Sequence, residues 1–277
     1  MGILNTTPDS FSDGGLHMGL AAALAHAEVL VGEGASIIDV GGESSRPGSR
    51  AVSEDEELTR TVPVIEALCS DAGPVRAGPE GAFEVSVDTV KPAVARAGVE
   101  AGATMVNDVS GALGELAGEL GAAWVAMHRQ GPSETMQDAP AYDDVVTEVL
   151  TSVVALAEAA LSAGAPRVWI DPGIGFGKTL EHNVALLGAL DRFVGSGHPV
   201  LLGASRKAMF GSLGAESDRR VGIEVGGDRV PVDDRLDGSI AVATWAGHLG
   251  VDVIRAHDVA ATVSALRIVS TPLDVLN

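Results

Sequence analysis

The feature that most constrains this chain is an alternation. Short runs rich in Val and Ile are each followed by a longer Ala- and Leu-rich segment with apolar residues at helical spacing. Strand, loop and helix repeated in that order predict a parallel sheet. The strands are read at Met1–Leu4, Ser36–Val40, Glu84–Val87, Thr104–Asn107, Trp124–Met127, Arg167–Ile170, Pro199–Leu202 and Val251–Arg255. Helices are read at Leu20–Gly32, Asp55–Leu68, Pro92–Ala101, Glu115–Leu120, Asp143–Ala163, Glu181–Val194, Arg235–His248 and Val259–Ile268. Pro92 suits a first helical turn, because its missing N–H is not needed there. The expectation is an α/β fold, a (β/α)8 TIM barrel, with residues 1–277 forming one domain. Gly214–Asp234, rich in charge and glycine, reads as a surface loop.

Composition bounds the partners. With 46% hydrophobic residues and only 3% aromatics, the core must be packed by Val, Leu, Ile and Ala. A net charge of −20 opposes docking on nucleic acid or on an anionic membrane surface. An anionic substrate must then be captured by local cations, and lysine occurs only at Lys91, Lys178 and Lys207. The single cysteine, Cys69, allows no intramolecular disulfide, fits a reducing cytoplasm and reads as a packing residue. No basic leader precedes an apolar run, and no apolar stretch approaches the roughly 20 residues that span a bilayer, so a soluble, cytoplasmic protein is expected.

The polar motifs fall at one end of the predicted barrel. Asn5, Asp39, Asp88, Asn107, His128, Asp171, Ser205 and Arg255 all sit at or just after the C-terminal ends of strands, the face that carries barrel active sites. One aspartate after a strand is commonly just a helix cap. Eight polar residues at equivalent places are hard to explain that way. Asp88, Asn107, Asp171 and Lys207 form a first group, suited to a flat heterocycle with donors and acceptors on its edge, such as guanine or pterin. An internal salt-bridge cluster is the competing use of the same residues. A second group joins Arg255 and His257, after the last strand, to Asn5 and Asp13 of the first loop. Cations near a helix N-terminus make an anion site, and the two oxygen donors suit Mg²⁺ bridging phosphate oxygens. Two glycine-rich loops, Asp9–Gly15 and Gly41–Gly48, complete the mouth. The run from Asp171 to Lys178 has neither Walker nor dinucleotide spacing, no zinc motif occurs, and His128 and His182 stand isolated in the sequence.

Taken in order, ILNTTPDSFSDGG, DVGGESSRPG, SVDT, NDVSG, MHRQG, DPGIGFGKT, LLGASRK and RAHDV resemble the dihydropteroate synthases, the folate-pathway family inhibited by sulfonamides, along nearly the whole chain. The resemblance implies a (β/α)8 barrel, usually homodimeric. It implies condensation of dihydropterin-methyl diphosphate with 4-aminobenzoate, giving dihydropteroate and diphosphate, with Mg²⁺ as cofactor and no nucleic-acid or membrane partner. Carried over by position, it assigns the pterin to Asp88, Asn107, Asp171 and Lys207, and the diphosphate to Asn5, Arg255 and His257. The metal falls to Asn5 and Asp13, and the aminobenzoate to Phe11, Ser45, Arg46, Pro47, Phe176, Lys207 and Ser205. Asp13, Lys207, Arg255 and His257 are the residues it places in catalysis. Thr6 stands where valine is usual, Ser45 where threonine is common, and few residues precede the first motif, so a short first strand is expected. Two other readings are a pterin-binding methyltransferase barrel, which needs neither the Ser205-Arg206-Lys207 side nor both loop motifs, and a non-catalytic pterin-binding paralogue.

Overall fold

A computed structural model describes residues 1–6, 15–44, 51–70, 83–133, 135–224 and 226–270, without the side chains of residues 15–18. In chain order the elements are β1 (Gly2–Asn5), α1 (Gly15–Gly32), β2 (Ile37–Gly41), α2 (Glu54–Cys69), β3 (Glu84–Asp88), α3 (Pro92–Glu100), β4 (Met105–Asp108), α4 (Gly114–Leu120) and β5 (Ala123–Met127). They continue with α5 (Val145–Ser162), β6 (Val168–Asp171), α6 (Leu180–Gly188), α7 (Leu190–Val194), β7 (Leu201–Leu202), α8 (Ala208–Arg220), α9 (Leu236–Leu249), β8 (Val253–Ile254) and α10 (Val259–Ser270). Strands β1 to β6 pair in sequence, all parallel, and β7 pairs with β8. Parallel bridges between Ile170 and Val200 and between Gly2 and Ala256 join the two sheets, so the eight strands close into the expected barrel.

Strand periodicity sorts the side chains. One parity places Leu4, Ile38, Val40, Val85, Val87, Val106, Trp124, Ala126, Val168, Ile170, Val200 and Leu202 outward, in the main core against the helices. The other parity fills the barrel itself: Met1, Ile37, Met105, Ala123, Val125, Trp169 and Leu201 form a separate apolar plug. Glu84 and Arg167 seal its lower end, with Arg167 donating to both carboxylate oxygens at 2.7 and 2.9 Å and stacking 4.1 Å over Trp169. Continuing upward, the same inward parity delivers Asn5, Asp39, Asp88, Asn107, Asp171 and Arg255. The barrel interior therefore has an apolar middle above the pair of Glu84 and Arg167 and a second, charged layer at its upper end.

Local chemistry places the helices. Ser53 caps α2, accepting from the Glu56 amide at 3.2 Å, and the four acids of the first turn complement the helix dipole. Asp144 caps α5 through the amides of Val146 and Thr147. Thr179 and His182 form a reciprocal capping box that starts α6. Cys69, half-buried at the end of α2, faces Gly102.

Several expectations need correction. Residues 181–194 are two helices, not one, because the chain leaves helical geometry at Ala189. Residues 214–234 do not begin as a loop, since α8 runs to Arg220. Its glycines dilute the helical pattern for a reason remote in sequence: a Cβ at Gly211 would lie 2.8 Å from the Arg235 guanidinium, and one at Gly214 3.1 Å from Val230. The last two strands are two residues each, shorter than read. The first strand is short as expected, yet it is held on both edges, by β2 and by Ala256, whose carbonyl accepts from Ile3 and whose amide donates to Met1. Finally, the 18 residues of α5 have a mean hydropathy of 1.6, long and apolar enough to cross a membrane by length and composition. Here Val145, Val149, Val153, Ala157 and Ala160 bury one face of it in the core, on the outside of the barrel.

Helices α4 and α5 meet at a glycine. A Cβ at Gly118 would lie 2.5 Å from the Ala163 carbonyl oxygen, a backbone atom that cannot move aside alone. Gly118→Ala should therefore lower unfolding stability by about 1–3 kcal/mol despite its better helix propensity. Urea denaturation checks this, and an unchanged midpoint would show that the two helices yield.

Candidate active site

The charged end of the barrel is organised around Arg255, which follows β8. Its Nε donates to Asp39 Oδ2 and its Nη2 to Asp88 Oδ2, each at 2.6 Å. Asn107 Nδ2 donates to the same Asp39 oxygen at 2.9 Å. Asp39 is fully buried, and Asp88, Asn107 and Asp171 are nearly so. Part of the internal salt-bridge arrangement is thus present: Asp88, read for a heterocycle, pairs with Arg255, read for an anion, and Asn107 joins them through Asp39. Asp171, at the end of β6, accepts the Gly173 amide at 2.7 Å. A Cβ on Gly203 would lie 3.6 Å from Asp171 Oδ2 and 3.9 Å from Arg255, so that bare stretch of backbone separates the two side chains.

Lys207 enters from the turn after β7. Its Nζ donates to the Ile174 carbonyl and lies 4.0 Å over the Phe176 ring, while its stem covers Gly175. The turn is strained: Arg206 is the one described non-glycine residue with positive φ, at 56°. Such a residue costs about 1–3 kcal/mol and persists where its surroundings over-determine it. Here the Arg206 amide donates to Ser239 Oγ at 2.9 Å, Arg235 Nη1 donates to the Arg206 carbonyl at 3.2 Å, and the Arg206 guanidinium pairs with Asp258. Beside it, Ser205 Oγ lies 3.0 Å from His257 Nδ1 and accepts the His257 amide at 3.2 Å. The loops after β7 and β8 are therefore bolted together.

Sequence reasoning placed Asp88, Asn107, Asp171, Lys207 and Arg255 in one site, and the structure brings them together. Phe176 sits against Lys207, and Ser205 against His257. Asn5 ends β1 two strands from Asp88, level with it through the register Asn5 to Gly41 to Asp88. Phe11, Asp13, Ser45, Arg46 and Pro47 lie outside the described residues. Three participants were missed. Asp39 had been placed at a strand end but given no role, although its inward parity with Ile37 marks it for the interior. Asp258 and Lys178 carry no local signal of their partners. His128 and His182 are not isolated: His182 belongs to the capping box, and His128 Nδ1 lies 3.0 Å from Lys178 Nζ, a group 50 residues away in sequence. That ammonium also donates to the carbonyls of His128, Gly173 and Phe176 at 3.2, 2.9 and 3.0 Å, and so shapes the loop from Asp171 to Lys178 from within.

Burial dominates the electrostatics. It pushes the Asp88 carboxyl up, opposed by Arg255 and reinforced by Asp39. Asp171 is likewise raised by burial, against the Gly173 amide and the cations of Lys207, Lys178 and Arg255. Burial lowers Lys207 to about 7, with Asp171 opposing. Lys178 is lowered to about 7, first by burial and then by Lys207. His128 falls to about 4 for the same two kinds of reason and is a neutral acceptor at pH 7. This end of the barrel holds charges at a cost, and a polar ligand with complementary donors and acceptors would relieve it.

The lysine shifts give a signed pH dependence. Between pH 8 and 10 the unfolded chain keeps both lysines protonated while the folded chain does not, so their contribution to stability rises with pH. For Lys178, 3% exposed, the rise is about 1 kcal/mol per pH unit. Urea unfolding of wild type and Lys178→Met across this range should show a flatter pH dependence in the variant. Cys69 and Tyr142, both raised by burial, titrate in the opposite sense but are common to both proteins. Parallel curves would mean that Lys178 stays charged when buried.

Residues 1–257 match the pterin binding enzyme family. The chain is 44% identical over 282 residues to the dihydropteroate synthase of Escherichia coli (strain K12), an alignment covering 99% of this chain and 91% of that protein. It is 42% identical to the dihydropteroate synthase of Mycobacterium leprae (strain TN), over 97% of this chain and 91% of that one. Among solved structures, the Yersinia pestis dihydropteroate synthase with a sulfonamide drug complex superimposes with a TM-score of 0.81 at 41% identity, covering 97% of this chain and 92% of that one. The Xanthomonas albilineans dihydropteroate synthase with 4-aminobenzoic acid also gives 0.81, at 43% identity, with coverages of 98% and 93%. With its barrel closed, its inward polar layer in place and these matches running nearly end to end, the chain belongs to the pterin binding enzyme family, among the dihydropteroate synthases.

Proposed function

We propose that this barrel is a transferase of folate biosynthesis, condensing 6-hydroxymethyl-7,8-dihydropterin diphosphate with 4-aminobenzoate to give 7,8-dihydropteroate and diphosphate. The observation that carries the reading is the buried layer of Asp88, Asn107 and Asp171, with the half-buried Lys207 beside it and the Arg255 and His257 loop at its rim. Relatives have been solved with 4-aminobenzoic acid and with pteroic acid, which supports the two ends of this chemistry.

The chain's own residues divide the work. Asp88 and Asp171 accept from the amino and ring N–H groups of the pterin, and Asn107 contributes an amide beside them. Lys207 supplies a cation over Phe176, where the aminobenzoate ring packs, with Ser205 near its carboxylate end. Arg255 and His257 hold the diphosphate. The bond between the pterin methylene carbon and the bridging oxygen breaks, with the electron pair leaving on diphosphate. Electron density from the pterin ring stabilises the methylene cation, and the aminobenzoate nitrogen then forms the new C–N bond and gives up a proton. No covalent adduct with the protein is needed. The cations matter most where charge grows on the departing oxygen. Because Arg255 pairs with Asp88, a pterin bound at Asp88 competes for that carboxylate, and its binding is coupled to the freeing of Arg255 for the diphosphate.

Mg²⁺ is part of the proposal. Asn5 offers one hard oxygen at the end of β1, and Asp13 of the first loop is the second donor in the sequence reading. One or two protein oxygens suit an ion that keeps its waters and takes the rest of its shell from phosphate. When bound, the ion neutralises diphosphate charge. A cytoplasmic homodimer of single-domain subunits completes the proposal, and Trp245 on α9 and Ile268 on α10, 46% and 77% exposed, are apolar surface that a second subunit would cover.

The direct test is diphosphate release by the purified protein given both substrates. Release that depends on 4-aminobenzoate is expected, and pterin binding without such release would point to the non-catalytic paralogue. Arg255→Ala should lower kcat by about 10²–10³-fold while leaving the protein folded. Wild-type kinetics in that variant would remove Arg255 from the mechanism.

A further inference from the structure

Asp39 is fully buried, touches two of the residues given to substrate, and has no part in the mechanism above. Its Oδ2 accepts from both Asn107 Nδ2 and Arg255 Nε, while its Oδ1 is buried with no hydrogen-bond partner among the described residues. A carboxylate only accepts. The atom of Asn107 that faces it must therefore be the NH₂ group, which leaves the Asn107 carbonyl oxygen, in one fixed orientation, for a donor on the ligand.

The contact with Arg255 has a second consequence. The guanidinium is held at two points by different nitrogens: Nε on Asp39 of β2 and Nη2 on Asp88 of β3. Only the Asp88 oxygen is needed by a heterocycle. Breaking that one contact frees the terminal nitrogens while Nε stays tied. We propose that Asp39 is a positioning residue, the fixed pivot on which Arg255 exchanges Asp88 for the diphosphate, and at the same time the group that sets the Asn107 amide. The proposal rests on the synthase reading and adds to it the residue that orders its two key side chains. Without the pivot, a guanidinium displaced from Asp88 has no anchored direction in which to turn.

Asp39→Asn separates the two roles. Its side-chain oxygen still accepts from Asn107, but the charge that holds Arg255 is gone. The binding of 6-hydroxymethylpterin, which lacks diphosphate, should stay within about threefold of wild type. By contrast kcat should fall by about 10–100-fold, the usual loss when a group orienting an active residue is removed. In a double-mutant cycle with Arg255→Ala, read by calorimetric titration of inorganic diphosphate with Mg²⁺, the second substitution should add little to the first. Independent, multiplying effects would overturn the pivot, as would a wild-type kcat in Asp39→Asn.

If that variant does not fold, the wild-type enzyme decides. The ¹⁵N Nε–Hε resonance of Arg255, assigned by its loss in Arg255→Lys, should remain protected from solvent exchange when the protein is saturated with 6-hydroxymethylpterin and inorganic diphosphate. Rapid exchange in that complex would show that Nε had let go of Asp39. Failure of the underlying reading is visible separately, as wild-type diphosphate release that does not depend on 4-aminobenzoate.

Discussion

Arg255 follows one of the two shortest strands of the barrel and reaches carboxylates on β2 and β3. The two-residue strands β7 and β8 contribute few ladder hydrogen bonds, and isolated bridges join them to their neighbours on either side. An ion pair crossing the interior therefore ties the weakest segment of the wall to one of the best-paired. Such a triad is a poor stabiliser, because two carboxylates and a guanidinium lose their hydration and regain it only in part through one another. Well-packed aliphatic side chains would serve the barrel at least as well, and the plug just below, from Met1 to Leu201, does so. Charge at this level is thus explained by what it binds.

The distribution of cations leads to the same place. Against a net charge of −20 the chain has three lysines, and each follows the C-terminal end of a strand: Lys91 after β3, Lys178 after β6 and Lys207 after β7. Their uses differ. Lys91 pairs with Glu43 and the buried Glu57, which fixes the start of the loop after β2 to α2 and α3. Lys178 is consumed by the carbonyls of its own loop. Lys207 alone is turned toward the charged end of the barrel, over Phe176 and near Asp171. Lys207 and Arg255 can attract an anion locally, while the net charge repels polyanions at long range.

How much of this could be read from the sequence depended on how local each cause was. Strand parity is local, so the inward layer was legible wherever a polar residue stood two places above an apolar one, as Asn107 does above Met105 and Asp171 above Trp169. Asp39 obeys the same rule above Ile37. It was passed over because its partners, Asn107 and Arg255, lie 68 and 216 residues away. Helix α8 was half lost for a similar reason: Gly211 and Gly214 look like loop residues until Val230 and Arg235 are seen packed against them. The break between α6 and α7 also left no clear mark, since Gly188 and Ala189 fit a continuous helix by pattern alone.

The acidic stretch after α8 takes its role from where it ends. Val230 returns to donate its amide to the Gly211 carbonyl, and Arg235 grips the Val230 carbonyl with Nε and Nη2. From that footing its Nη1 reaches the Arg206 carbonyl, while Ser239, one turn further along α9, holds the Arg206 amide. Both backbone polar groups of the strained residue are thus fixed from one outside element, and its guanidinium is fixed by Asp258 from another. Lys207 is the next residue, and the direction of its side chain follows from that turn. The 221–234 segment is then the connection that brings a brace to the far side of the turn, and its own sequence is free to vary so long as Val230 and Arg235 arrive in place.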